Sequence, residues 1–475
     1  MFSTWPALRH AEDEFLAEGL HGLPAAAAPG DHLQTLWQLW LPGHQLGRGA
    51  DPTHDPYSFQ PEAEPRVNFA GWPFSLPFWP LHGLLGSVMA WNAFVLLGYL
   101  GAGALAFLWL RSLGLGVAPA LVGGLAFALA PYRAVQAGAG HLLAWTAMLL
   151  PLTLWAWERR WYVLSAAALA SIPLSGQVHL ALGAIPFFVL YALLRGGSRA
   201  WTAACAGAAV AAGVAVWALT VRGSVGEARS FDQVERYSAD LADFVSRDPR
   251  HGLEAFVLVG WLTPVLAVAG IALLRNRLGV ALALGAAVPM LLALGANLPG
   301  YRLVWEHLPG LHSTRVPARL MPIACLALAG LAAFAVSRAR WTAAPLVALL
   351  LVALDLRLDV TAFGPSAADQ GNRAYAAMGS APRGRLLELP ILPPDRQEGS
   401  VYLYYAMQAP RERPLGYSTV APKEALHVVQ ELASCPTPAA LDDLGVRVLS
   451  VFGTSNCDVP GTLVGRDGAV SVYRR

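Results

Sequence analysis

Charged residues are scarce in this 475-residue sequence, where Asp, Glu, Lys and Arg make up 13% of the chain. Soluble domains have about 25%. Lys423 is the sole lysine, and the net charge of +2 gives no support to nucleic-acid binding. Residues 1–30 lack a signal peptide with a basic region, an apolar core and a cleavage site. Residues 358–475 lack a metal-spaced Cys/His set, a phosphate loop and a nucleophile elbow. The composition therefore excludes an ordinary soluble protein, and those three kinds of site have no support in this part of the chain.

Long apolar stretches are abundant instead, and hydrophobic residues make up 55% of the chain. Ten such stretches alternate with short connections and predict a polytopic, all-α membrane domain. They are roughly 88–111, 117–131, 141–157, 161–174, 178–194, 201–220, 254–274, 278–296, 318–337 and 341–357. Some are shorter than the roughly 20 residues that cross a bilayer. The pair 161–174 and 178–194 is broken between them, and irregular backbone at that depth needs protein or a watery cavity around it.

Arginine falls almost entirely on alternate connections. These residues are Arg111, Arg159, Arg160, Arg195, Arg199, Arg275, Arg277, Arg338 and Arg340, and Glu158 alone offsets them. Short Arg-rich loops stay in the cytoplasm. We therefore predict a multi-pass protein of a bacterial cytoplasmic membrane with three parts: an extracytoplasmic first loop (1–87), a transmembrane domain (88–357) and an extracytoplasmic tail (358–475).

The predicted topology places residues 1–87 outside although no export signal precedes them. An even number of spans with both ends outside is otherwise difficult to explain. We therefore hypothesise that a first membrane helix is missing from this chain, through a late start codon or a truncation.

Residues 31–40 have the pattern of an amphipathic helix at the membrane surface. The apolar positions are Leu33, Leu36, Trp37 and Trp40, and the polar positions are Asp31, Gln34, Thr35 and Gln38. Tryptophans suit the headgroup boundary, so we expect the polar face to look into an exported cleft.

The tail has the composition of a small α/β domain. Segments 385–390, 401–405, 446–451 and 469–473 are rich in β-branched and aromatic residues and predict strands, whereas 370–379 and 422–434 predict helices. Cys435 and Cys457 either form a disulfide, which persists outside the cytoplasm, or remain two free thiols. Cys205 and Cys325 are expected to be small buried hydrophobes.

Ionisable residues at the outer ends of membrane helices are candidate functional groups, because their burial near lipid is costly. Arg315 and Arg319 are four apart and would share a helix face if Val316-Pro317 begins the helix. Two guanidinium groups there could hold a phosphate, or they could reach lipid headgroups. The connection 130–141 places Arg133, Gln136 and His141 at one level.

Asp31 follows Gly30 at the start of the predicted helix. It is either an N-cap or a catalytic base at the mouth of a membrane cavity, and the two roles are compatible. Asp55 is the next candidate base, with His54 as a helper. Asp51, Glu62 and Glu64 are further alternatives.

These motifs together resemble bacterial GT-C-type membrane glycosyltransferases, and most closely the YfhO-like branch of the protein-mannosyltransferase superfamily. The resemblance covers most of the chain and rests on short motifs. They are Gly30-Asp31, Ala130-Pro131-Tyr132-Arg133, Gly140-His141, Leu308-Pro309-Gly310, Arg315-Val316-Pro317-Ala318-Arg319, Leu387-Glu388-Leu389-Pro390 and Arg413-Pro414-Leu415-Gly416-Tyr417. The usual paired acidic motif is not clean here, because Asp31 stands alone.

The resemblance implies a polyprenyl-phosphate sugar as donor and an acidic residue of the first exported loop as base, and Asp31 matches that position. We predict an inverting transfer of the sugar to a glycan, lipid or protein acceptor, with Arg315, Arg319 and Arg133 at the donor phosphate. Membrane lipids are expected partners and nucleic acid is not. A divalent metal is left open, although no ligand set is evident. The alternatives are a transporter of lipids or lipid-linked sugars, and an envelope scaffold.

Overall fold

The computed structural model describes residues 10–18, 27–61, 66–227, 229–248, 252–308, 310–357, 366–381, 383–432 and 435–475. Its α-helices, in chain order, are α1 (Asp31–Gly47), α2 (Ser75–Ser112), α3 (Val117–Ala128), α4 (Pro131–Gly138), α5 (Leu143–Thr146), α6 (Leu149–Glu158), α7 (Tyr162–Leu174), α8 (Val178–Leu194), α9 (Arg199–Val216), α10 (Phe231–Arg236), α11 (Leu262–Leu273), α12 (Arg277–Ala293), α13 (Tyr301–His307), α14 (Met321–Ser337), α15 (Ala344–Asp355), α16 (Arg373–Ala376), α17 (Ser400–Gln408), α18 (Glu424–Leu432) and α19 (Pro438–Asp443). Its strands are β1 (Glu14–Phe15), β2 (His54–Asp55), β3 (Arg66–Val67), β4 (Ser366–Ala367), β5 (Arg385–Leu389), β6 (Val446–Phe452), β7 (Thr462–Asp467) and β8 (Val470–Arg474).

At least one helix overlaps each of the ten predicted apolar stretches. Within the described ranges, three helical segments are long and apolar enough to cross a membrane: Ser75–Ser112, Arg199–Val221 and Pro317–Ser337. The bent pair α3 and α4, at 42°, would make a fourth if it forms one span. The mainly helical, apolar architecture is thus confirmed, and ten crossings stay a prediction.

The helical part is organised around α14. Every residue from Met321 to Val336 is buried, and α14 packs against α3, α11 and α12. A helix that is hydrophobic all round is typical of a protein core or of a membrane span, and α14 lies in the core of the helical part.

The predicted break between two short apolar segments is present between α7 and α8. Residues 175–177 separate the helices, and Gly176 adopts a φ of +79°. Ser175, Gly176 and Gln177 line a cavity, which is where irregular backbone is tolerated at membrane depth.

Helix α1 does not lie on the lipid surface as its tryptophans led us to expect. It packs between α2 and α17. Trp37 and Trp40 are 3% and 8% exposed, and they pack with Tyr57 and with Leu403 of the tail. The apolar face is therefore covered by protein, because the tail supplies the apolar surface that we had assigned to lipid.

The tail contains a four-stranded sheet in the order β5-β6-β8-β7. Strands β5 and β6 are parallel, and the other two pairs are antiparallel. Three of the predicted strands are present, and β7 was not predicted. The predicted strand 401–405 is wrong, because this segment lies in helix α17. Residues 400–406 are all buried, so the sequence shows no amphipathic period from which a helix could be recognised.

A buried ion pair lies within the tail, and the backbone of its arginine connects the tail to residues 57–60. Arg413 Nη1 lies 3.3 Å from Glu388 Oε1, and both side chains are 1% exposed or less. The Arg413 N–H donates to the Tyr57 carbonyl, and the Gln60 N–H donates to the Arg413 carbonyl. Burial raises the pKa of Glu388 to about 7, although the Arg413 charge opposes this effect.

The disulfide alternative is the one present, between Cys435 and Cys457, with the Cα atoms 5.3 Å apart. It closes a loop that contains α19 and β6. Cys205 and Cys325 are buried free thiols.

Candidate active site

A cavity of about 240 Å³ lies beside the first turns of α1. It is lined by α1, the β2–β3 region, residues 141–142, the α7–α8 break, the end of α9, Arg315 and Arg319, and the tail. Of the residues predicted from sequence, Asp31, Asp55, His141, Arg315 and Arg319 line it. The fold thus brings together residues that are almost 300 positions apart.

Asp31 is the first residue of α1. The N-cap is Gly30, with no side-chain cap hydrogen bond, so the predicted capping role of Asp31 is wrong. The Gly30 N–H instead donates to Ser400 Oγ at 3.0 Å. The Asp31 carboxylate is therefore available to the cavity, and a negative charge in the first helical turn is favourable.

Three side chains donate hydrogen bonds to the Asp31 carboxylate. His141 Nε2 lies 2.9 Å from Oδ2, while Tyr417 Oη and Gln397 Nε2 donate to Oδ1 at 2.8 and 2.9 Å. Burial raises the pKa of Asp31, but the bonds from His141 and Tyr417 and the Arg319 charge outweigh it and lower the pKa to about 2. The carboxylate is thus ionised at neutral pH.

The His141 ring is held at both nitrogens. Nδ1 lies 2.7 Å from Gln136 Oε1, and Nε2 contacts Asp31. Each ring nitrogen therefore has a partner within the protein, and the ring is fixed beside the Asp31 carboxylate. In this arrangement neither nitrogen is free to take a proton from a molecule in the cavity.

Gly140 allows the loop that carries His141 to approach α1 closely. Its φ is +79°, and a Cβ there would overlap the backbone of His32. Thr35 Oγ1 donates to the Gly140 carbonyl at 2.7 Å. The close approach places His141 against Asp31, which a residue with a side chain at position 140 would prevent.

Arg315 and Arg319 lie on the same cavity but not on one helix face as predicted. A 3₁₀ turn, Pro317–Leu320, precedes α14 and Arg315 comes before that turn. Arg319 Nη2 donates to Glu254 Oε1 at 2.7 Å. Among the described residues Arg315 makes no ion pair, and its guanidinium carbon lies 5.6 Å from the Tyr237 ring centroid.

Arg229 adds to this positive region. Burial lowers the pKa of Arg229, and the charges of Arg315 and Arg319 lower it further. Three guanidinium groups therefore share one neighbourhood, in which Glu254 neutralises Arg319. The arrangement favours an anion.

Solved structures share this architecture. The cryo-EM structure of a mutant of arabinofuranosyltransferase AftD from Mycobacteria has a TM-score of 0.54, with 16% identity over 100% of this chain and 41% of that chain. The apo crystal structure of the Archaeoglobus fulgidus oligosaccharyltransferase has a TM-score of 0.51, with 12% identity over 95% of this chain and 69% of that one. The chain has a GT-C-type fold.

The chain spans 41% of the length of the AftD chain, to which it is similar in fold. No protein-family model and no curated protein matches the sequence.

Within the GT-C fold, Arg133 is not at the cavity. It is 2% exposed and donates to the carbonyls of Phe127, Ala128 and Ala144 at 2.7 to 3.2 Å. Its Nη1 and Nη2 groups are used by backbone carbonyls, so Arg133 holds the end of α3 against α5 and is not placed to bind the donor phosphate. Gln136 contacts His141 and is not among the residues that line the cavity.

The other candidate acidic residues are engaged locally. Asp55 lines the cavity, but its Oδ1 accepts from the N–H groups of Tyr57 and Ser58 and so holds a turn. His54 pairs with Asp51 at 2.8 Å outside the cavity lining. The further candidates Glu62 and Glu64 lie outside the described residues.

Sequence reasoning missed Tyr417, Gln397 and Glu254 as members of this site. Tyr417 belongs to a motif that carried the family resemblance, so that motif was an available signal. Nothing in the sequence links Gln397 to Asp31 across 366 residues. Burial and the Asp31 charge raise the pKa of Tyr417 well above its ordinary value, which keeps its hydroxyl a hydrogen-bond donor.

In the part of the chain that the structure describes, no group of three or more His, Cys, Asp or Glu side chains is arranged to hold a metal ion.

Proposed function

We propose that this protein is a membrane glycosyltransferase that transfers a sugar from a polyprenyl-phosphate carrier to a hydroxyl group outside the cytoplasmic membrane. The observation that carries the proposal is one cavity with an ionised Asp31 and two arginines, Arg315 and Arg319. The fold supports it, because AftD is named an arabinofuranosyltransferase and the archaeal protein an oligosaccharyltransferase.

Asp31 is the proposed base. The acceptor oxygen attacks the anomeric carbon from the face opposite the phosphate, the bond from that carbon to the phosphate oxygen breaks, and Asp31 takes the hydroxyl proton. A single displacement inverts the anomeric configuration. The three donors to Asp31 hold the carboxylate in one orientation, and such preorganisation is required of a general base.

The arginines are proposed to stabilise the leaving group. The donor phosphodiester carries one negative charge, and the lipid phosphate that leaves gains a second one. Preformed positive groups aimed at a developing charge lower the barrier. Arg315 has no acidic partner to compete for it in the described part of the chain, so it is the better placed of the two to meet this charge.

The lipid chain of the donor is proposed to leave the cavity beside the end of α9. Val216 and Val221 line the cavity there, while Val214 and Leu219 on the same segment are 58% and 56% exposed. The last turn, Trp217–Val221, is π-helical, and such turns are frequent at functional sites. An apolar exit next to a polar cavity suits a lipid-linked phosphate.

Donor binding by Arg315→Ala tests the proposal. Loss of a charge-assisted contact should weaken the affinity for a polyprenyl-phosphate sugar by about tenfold or more, and Lys should restore only part of it because it lacks the planar fork. Arg315 is the cleaner probe, since removal of Arg319 would leave Glu254 buried without its partner. Binding is measured with the purified full chain in nanodiscs.

Arg302→Ala is the matched control, because Arg302 is exposed and pairs with Glu306 on α13 outside the cavity lining. A folded Arg315→Ala protein with unchanged donor affinity contradicts the phosphate role. Donor that binds and moves across the membrane without transfer to any acceptor would instead support the transporter.

A further inference from the structure

One wall of the cavity is lined by side-chain amides. Gln34 and Gln38 lie on successive turns of α1, Asn68 follows β3, and Gln177 lies in the α7–α8 break. The cavity therefore has neutral amide side chains in addition to the charged side chains of Asp31, Asp55, Arg315 and Arg319.

The hydrogen-bonding groups of this amide wall are largely unused by the protein. The side chains of Gln38 and Gln177 have no hydrogen-bond partner among the described residues. Asn68 accepts one bond, from the Ala70 N–H at 3.1 Å, and leaves its NH₂ group free of described partners. Gln34 makes one long contact, 3.4 Å, to the Tyr417 carbonyl.

An amide both donates and accepts, as a sugar hydroxyl does. A wall of neutral amides thus matches a polyhydroxylated ligand and offers no charge for an anionic one. Phe69 lies next to Asn68 on the cavity and is partly exposed, so it presents an apolar surface for the C–H face of a sugar ring. Amide and aromatic groups are thus adjacent, as a sugar with polar edges and an apolar face requires.

The length of the wall indicates the size of the ligand. Gln38 lies seven residues beyond Asp31 on α1, which is about 10 Å along the helix axis. This distance is comparable with the length of two linked sugar residues. A hydroxyl group at Asp31 and a polar contact at Gln38 would therefore belong to neighbouring sugars of one acceptor.

We propose that the amide wall is an acceptor subsite for a neutral glycan of at least two sugar residues. The terminal sugar presents its hydroxyl to Asp31, and the next sugar lies along Gln34, Gln38 and Asn68. This inference rests on the proposed function and narrows its acceptor from any hydroxyl compound to an oligosaccharide.

Binding of neutral sugars to the full chain, without donor, tests the subsite. The probes are mono-, di- and trisaccharides of α-linked mannose and of α-linked arabinofuranose, together with a Ser/Thr-containing peptide. Affinity should rise from the mono- to the disaccharide in at least one series. Gln38→Leu should weaken disaccharide binding by about tenfold, because it leaves a sugar hydroxyl unpaired.

The control Gln430→Leu removes an exposed amide of α18 outside the cavity lining and should leave sugar binding unchanged. Thermal melting verifies that each variant is folded. The inference is overturned if no sugar in the panel binds, or if the peptide binds in place of the sugars. It is also overturned if folded Gln38→Leu binds the disaccharide as tightly as the unaltered protein does. Because the assay contains no donor, it separates the two proposals: disaccharide binding with a normal donor affinity in Arg315→Ala would support the subsite and contradict the phosphate role.

Discussion

Replacement of Asp31 by Asn is the most informative perturbation of this site. The pKa of Asp31 falls from its ordinary 3.8 to about 2 in the folded protein, so folding favours the ionised carboxylate by about 2 kcal/mol. This contribution is fully present above pH 3.8 and is lost as the pH falls through about 2. Asn cannot ionise, so we expect the variant to lose about 2 kcal/mol of stability at neutral pH and about 10²-fold or more in transfer rate.

Transfer is measured with a radiolabelled polyprenyl-phosphate sugar and an oligosaccharide acceptor, and stability by thermal melting of the same samples. Tyr417→Phe is the control, because it removes one donor to Asp31 but leaves a carboxylate. That variant should keep transfer within about tenfold of the unaltered protein. Full transfer by folded Asp31→Asn would remove Asp31 from the mechanism and direct attention to Asp55. Equal losses in both variants would assign the effect to geometry and not to proton transfer.

Two further predictions concern the supports of the site. The folded state raises the pKa of Glu388 to about 7, so the folded protein keeps a proton that the unfolded chain releases above the ordinary pKa of 4.5. The free energy of unfolding should therefore fall from pH 5 to pH 8. Glu388→Gln should flatten this pH dependence in thermal melting, and an unchanged slope would contradict the prediction. Gly140→Ala should lower the free energy of unfolding by about 1–3 kcal/mol and reduce transfer, because it separates His141 from Asp31. The control Gly114→Ala has a similar φ but open space around it, so it should retain transfer. Equal transfer in both variants would contradict the argument that Gly140 allows a close approach.

The protein cover over α1 changes how the segment before α2 is understood. An apolar helical face with tryptophans predicts a membrane-surface helix as readily as a buried one, because lipid and protein interiors present similar apolar surroundings. The tail decides between them by packing Leu403 against Trp37 and Trp40. The same contact brings α17 to the start of α1, where Ser400 accepts the Gly30 N–H. The tail therefore completes the site as well as covering the helix.

Much of the fold could be predicted because it depends on neighbouring residues. Apolar runs, their interruptions and β-rich segments located helices in all ten stretches and three of the tail strands. Helix α17 is the exception, since a segment buried on every side has no period to distinguish helix from strand. The lipid-facing interpretation of α1 failed for a related reason, because an amphipathic pattern identifies the apolar face and not what covers it.

The sequence by itself determined the class of the protein, the positions of most helices and the candidacy of Asp31, His141, Arg315 and Arg319, because composition and local spacing are properties of contiguous residues. Only the tertiary structure decided their surroundings. Asp31 acquires Tyr417 across 386 residues, and Arg319 acquires Glu254. Arg133 has the same chemistry as Arg315, but backbone carbonyls accept from its Nη1 and Nη2 groups. A charged side chain binds whichever partners the fold places within reach, and long-range packing places them.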